Sequence, residues 1–203
     1  MVVKIKRLLS YLLTKLRSYS KISNMNVIVR RYSITNMFDA TLATLGVILG
    51  SYMYGELKPV FIIGASLGAA LGLGVSGIVS TYITERAERI AEIRKLERAL
   101  LTNLKSSEIA KAHKYAALFI SVSSGGSSAL AVLLVTSPFM LSSFNVISRY
   151  EAFTTSIAIA LTMLFMIGFY LGRISRENGI LYGLITLGAG ILVATILILA
   201  GIL

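Results

Sequence analysis

Between Val60 and Arg98 the sequence changes character without a break. It opens as an apolar, glycine-laced run, VFIIGASLGAALGLGVSGIVSTYI, and passes directly into TERAERIAEIRKLER. No Gly or Pro stands between Ile78 and Ser124, so the residues that usually stop a helix are missing where the apolar run ends. At about 1.5 Å per residue, a helix over this stretch reaches roughly 60 Å, about twice the hydrocarbon core of a bilayer. The pattern predicts a spanning helix whose second half stands in the cytoplasm carrying paired acids and bases. With 56% hydrophobic and 14% charged residues and a mean hydropathy of +0.80, the chain reads as an all-α integral membrane protein, not a soluble domain.

The other segments arrange themselves around this one. Residues 1–33 are amphipathic: Ile5, Leu9, Leu12, Leu13 and Leu16 recur at helical spacing among Lys4, Lys6, Arg7, Lys15 and Arg17. The uncharged stretch LLSYLLT is too short for a cleavable signal, so an interfacial helix on the cytoplasmic leaflet is expected. Residues 34–203 form the membrane domain, with spans at about 34–54, 60–83, 115–141, 152–172 and 179–203 and a charged cytoplasmic segment at 84–114. The third span reads as interrupted by SVSSGGSS and Pro138, and RISREN as a tight turn between the last two. Residues 1–36 hold eight Lys/Arg, 84–114 another eight and RISREN two, leaving only Lys58 and Arg149 for the opposite side. That asymmetry places the N-terminus in the cytoplasm and the C-terminus outside. The short chain without targeting signals suits a prokaryotic plasma membrane.

The net charge of +11 lies beside apolar spans, where it suits anionic lipid better than nucleic acid, and no nucleic-acid partner is expected. With no cysteine, disulfides and thiolate metal sites are excluded. Asp39 is the one acid inside an apolar segment. An acid at mid-bilayer costs about 2.5–3.5 kcal/mol on insertion scales and usually faces a bundle interior. It is a candidate pore and metal ligand, with Asn36, Thr41 and Thr44 as nearby oxygen donors; alternatively it lies close to the cytoplasmic interface, eight residues after Arg31, and is hydrated there. Glu85, Glu88 and Glu92 fall within about 60° of one helical face and offer oxygen ligands to a divalent cation. Spacing alone favours a solvated helix instead, with Glu85–Arg89 and Glu92–Lys95 as ordinary surface pairs. His113, alone among lysines, reads as an interfacial residue. Gly64, Gly68, Gly72 and Ser76, and likewise Gly46 and Gly50, repeat every four residues, a spacing that lets helix backbones approach closely within or between subunits. Met163 and Met166 on the fourth span, and Met37 and Met53 flanking the first, read as lipid-facing or packing residues before soft metal ligands. No nucleophile–base pair, phosphate-binding loop or HExxH motif is present, so no enzyme and no cofactor are expected.

Taken in order, residues 31–203 resemble the vacuolar iron transporter family, which includes the plant vacuolar iron transporters and the yeast vacuolar iron/manganese carrier. The first span looks like the family's opening helix, with Arg31 eight residues before Asp39 and Gly50 eleven after it. Ser76, Tyr82 and Arg86 match the end of its second helix, which also continues into a glutamate-bearing cytoplasmic helix. Pro138 falls near a proline late in the third, and GFYLGRISREN with a glycine-rich fifth span looks like the last two. The resemblance implies export of Fe²⁺ or Mn²⁺ from the cytosol by proton exchange, through a homodimer whose pore is formed by first and second spans. Asp39 matches the pore aspartate, and Ser76 joins it. The chain departs from the pattern at Ala40, Gly77 and Thr81, where a glycine, commonly a methionine and often a glutamate stand. Five Glu face eight Lys/Arg in 84–114. A non-transporting membrane scaffold that binds lipid or an acidic partner is the alternative, and a channel for another ion a third.

Overall fold

The structure, a computed structural model, describes residues 25–55, 57–104 and 107–202. Most of the expected N-terminal interfacial helix, residues 1–24, lies outside the described residues, as does Glu56 in the first turn. Among the described residues five helices follow one another: α1 (Met25–Met53), α2 (Pro59–Leu100), α3 (Glu108–Ser143), α4 (Arg149–Ile174) and α5 (Gly179–Ile202). Each is long and apolar enough to cross a membrane, and no strand occurs among the described residues. The fold is an all-α integral membrane protein with five candidate spans. The first helix starts at Met25, nine residues before the expected span.

The 42-residue α2 runs unbroken through the change from apolar to charged. Its buried positions are Ile62, Ser66, Ala70, Gly74, Gly77, Thr81, Glu85 and Arg89. They fall every four residues, once every three, which keeps them on one stripe of the helix. The helix stops without glycine. Leu101 takes a left-handed conformation (φ 50°), the Thr102 N–H donates to Glu97 O at 3.3 Å, and the Leu104 N–H donates to the Glu97 carboxylate at 2.9 Å. These bonds satisfy the helix end as a Schellman-type cap does, at some steric cost to a residue with a Cβ. Asn145 and Arg176 close α3 and α4 in the same left-handed way. The RISREN turn is therefore as tight as expected, and Asn178 caps α5 by accepting from the Ile180 N–H. At the start of α4, Ser148 and Glu151 exchange bonds as a capping box.

The expected interruption of the third span does not occur: α3 is one helix from Glu108 to Ser143. Serine and glycine break helices in water because they hydrogen-bond or solvate the backbone in other conformations; an apolar setting removes that competition. Pro138 has no N–H for the Leu134 carbonyl, and the hydroxyl of Ser137 donates to that carbonyl instead, at 2.7 Å.

The chain forms two compact units. The first comprises 25–33 and 76–125, with Met25, Ala116 and Ile120 buried against Ile28, Val29 and Tyr32. The second comprises 34–75 and 126–202, where Leu45, Ile48, Ile62, Val135, Phe139, Ala152 and Ala160 make the core. Within it α4 and α5 pack most closely. The Thr186 hydroxyl donates to Leu164 O at 2.8 Å, and a Cβ on Gly168 would run into the Tyr182 carbonyl.

Candidate functional site

Asp39 is exposed on α1, and no ion pair reaches it among the described residues. Asn36, one turn earlier, is half-buried. Thr41 and Thr44 face the other way: both are fully buried, and their hydroxyls donate back to Met37 O and Ala40 O at 2.7 Å. Ala40 is fully buried in an alanine-rich contact with Ala70, Ala131 and Val132. Ser76 is exposed on α2. Gly64, Gly68 and Gly72 are likewise exposed, and a Cβ on any of them would meet nothing within 4 Å. The four-residue glycine spacing of Gly64, Gly68 and Gly72 thus marks an open face of α2, while Gly74 and Gly77 lie on its buried stripe and Gly168, Gly172, Gly179 and Gly183 pack α4 against α5.

The charged cluster lies in the far half of α2 and the first turns of α3. Glu85 and Arg89 are only 3% and 6% exposed. Arg89 Nε stands 3.5 Å from Glu85 Oε2, and its Nη1 donates to Glu92 Oε2 at 3.3 Å. His113, 6% exposed, places Nδ1 3.5 Å from Arg89 Nη1 and 3.4 Å from Glu92 Oε2. Burial, then the neighbouring Arg89 charge, holds His113 below the ordinary imidazole value, with Glu92 opposing. One turn before Glu85 along α2, Thr81 shares a hydrogen bond of 3.0 Å with Ser124 of α3. Glu88 points away and is exposed.

Two sequence expectations are corrected here. Glu85 and Arg89 do pair, but in the interior and not on the surface; His113 is part of that interior and not an interfacial residue. The signal was present in the spacing: Thr81, Glu85 and Arg89 continue the four-residue stripe that Ile62, Ser66 and Ala70 begin. Glu92 turns to Arg89 and His113. Glu85 and Glu92 converge on a guanidinium, and Glu88 does not join them. Among the described residues no group of three or more His, Cys, Asp or Glu is placed to hold a metal ion.

Fold and site together define an all-α, five-helix integral membrane protein with an exposed acid on its first helix and a buried ion-pair cluster on its second. The chain belongs to the same family as the uncharacterized protein MJ0645 of Methanocaldococcus jannaschii, with which it is 31% identical over 170 residues, covering 82% of this chain and 85% of that one. No family model matches the chain, and no solved structure matches it.

Proposed function

We propose that this protein is a secondary transporter, not an enzyme, that moves Fe²⁺ or Mn²⁺ out of the cytosol in exchange for protons. It works as a homodimer in a prokaryotic plasma membrane, with its N-terminus and the charged half of α2 inside. The observation that carries this reading is Asp39 standing exposed on an apolar helix. Left against lipid, an acid there costs about 2.5–3.5 kcal/mol; covered by a second copy, it becomes the wall of a polar path. The open glycine face of α2 suits such an approach of helix backbones. A metal ion arriving at the carboxylate displaces its proton, and reprotonation on release completes the exchange. In proteoliposomes loaded with a Mn²⁺-sensitive dye, the wild type should admit Mn²⁺ faster than empty vesicles and Asp39→Ala should not. Equal flux in the two proteins would overturn the reading.

One observation favours a second reading, a membrane scaffold without transport: Arg89 already neutralises Glu85 and Glu92, leaving Glu88 apart. On that reading isothermal titration finds no Mn²⁺ or Fe²⁺ binding at micromolar concentrations. Binding that is lost in Glu88→Gln would dismiss it.

A further inference from the structure

Beside the ion-pair cluster, within the first unit, lies a recess of ≈ 190 Å³ whose polar lining is entirely donor-bearing: Tyr82, Arg86, Arg89, His113 and Lys114, with no carboxylate among its walls. Arg89 is committed to Glu85 and Glu92. Arg86 and Lys114 are exposed, and neither has a carboxylate within ion-pair distance among the described residues. Arg86 is nevertheless held in place: its Nη1 donates to the Tyr82 hydroxyl at 3.2 Å, and its guanidinium lies 5.9 Å from the centre of that ring. Two uncommitted cations, one oriented in advance, meet at a cavity from two different helices. We infer that this recess binds a phosphate group.

The donor set selects for that chemistry. A guanidinium fork matches two oxygens of a tetrahedral anion, and a lysine ammonium from the facing helix reaches a third. The volume is smaller than the ~300–1,000 Å³ of sites that enclose a whole organic ligand, which suits a phosphate alone with the remainder of its molecule outside. The position suits a lipid. The recess lies where α2 passes from apolar to charged, with Ile90 and Ile93 in its wall and Ile83, Tyr115 and Leu118 of the same unit exposed. Basic pockets between helices at that level take anionic headgroups. A free phosphate presents the same oxygens to the same donors. The site uses neither Asp39 nor a metal, so it stands independently of transport.

The test is thermal unfolding of the full-length protein in detergent at low salt, followed by circular dichroism. One arm adds phosphatidylglycerol against phosphatidylcholine; the other adds inorganic phosphate against chloride at equal ionic strength. The wild type should unfold at higher temperature with phosphatidylglycerol. A response to the lipid alone identifies a headgroup site, and a response to inorganic phosphate as well identifies a site for the free anion. Arg86→Gln/Lys114→Gln should weaken the response about tenfold or more, as expected for the loss of charged hydrogen bonds. Lys114→Gln alone, at the exposed rim, should weaken it in part. Arg94→Gln/Arg98→Gln, the same charge change on exposed positions of α2 outside the recess, should leave it intact, as should Asp39→Asn. No response from the wild type in either arm, or an equal loss in the Arg94/Arg98 variant, overturns the inference.

Discussion

The two units of this chain differ in how they hold most of their buried polar groups. In the first, buried Glu85, Arg89 and His113 are tied to one another and to the exposed Glu92 across two helices, and Thr81 is tied to Ser124. In the second, the buried hydroxyls of Thr41 and Thr44 turn back on their own helix, and those of Ser66, Thr136 and Ser156 have no partner among the described residues. The contrast shows two means of fixing how helices pack where burial of apolar surface gives little direction. One is polar pairing, which is strong and position-specific. The other is shape: Ala40 with Ala70 and Ala131, and glycine backbone against backbone between α4 and α5. Substitutions should therefore be costly at the pairs of the first unit and at the small residues of the second, and cheap at the second unit's unpartnered serine hydroxyls, those of Ser66 and Ser156.

The largest effect is expected at Arg89. Arg89→Met leaves Glu85 buried without its partner, a situation that costs about 3–5 kcal/mol, and the double change Glu85→Leu/Arg89→Met should recover most of it. Thermal or denaturant unfolding in detergent measures both; a single variant as stable as the wild type would mean that the pair is not buried in solution. Next comes Gly168→Val, which forces α4 from α5 and should cost about 1–3 kcal/mol or more, as overpacking does. Ser137 gives a conditional effect. Ser137→Ala should cost about 0.5–1.5 kcal/mol, the worth of a typical hydrogen bond, but nothing in a Pro138→Ala background, where a backbone N–H again reaches Leu134. Equal costs in both backgrounds would show that the hydroxyl does not stand in for the missing donor.

The ion-pair cluster also predicts a pH dependence. His113 is held below its ordinary value of 6.5, so the unfolded chain takes up its proton first as pH falls. Stability is complete above that value and declines on acidification below it. His113→Gln should flatten the decline; an unchanged profile would assign it to other groups. The smallest effects belong to Ser66→Ala and Ser156→Ala, which remove unpaired buried hydroxyls and should be neutral or stabilise by about 1 kcal/mol. A clear loss from either would mean that these hydroxyls have partners after all.

Hydropathy and length were enough to read five helices, and the lack of Gly or Pro after Ile78 was enough to read α2 as one long element. Two things were not legible. Helix ends at Leu101 and Arg176 carry neither glycine nor asparagine, so their left-handed caps had no residue signature to announce them, whereas Asn145 is a residue that tolerates that conformation. SVSSGGSS looks like a loop by composition because propensities learned in water price exposed backbone that an apolar environment never exposes. At the candidate site the spacing of Glu85 and Arg89 was visible, but surface and interior pairs share the same i,i+4 interval. Only the continuation of the stripe from Ile62 through Thr81 distinguishes them, and a stripe that changes from apolar to charged is easily read as ending. Asp39 was legible as an anomaly, though not the face it occupies.

That face is open to a direct measurement, because the chain has no cysteine and single reporters can be placed at will. Ala43 lies one turn beyond Asp39 and is exposed; Met166, exposed on α4, serves as the comparison. Oxidation of Ala43→Cys in native membranes should give a disulfide-linked pair of subunits, and oxidation of Met166→Cys should not. Monomer alone from Ala43→Cys, or equal linking from both, would leave Asp39 facing lipid and contradict the account.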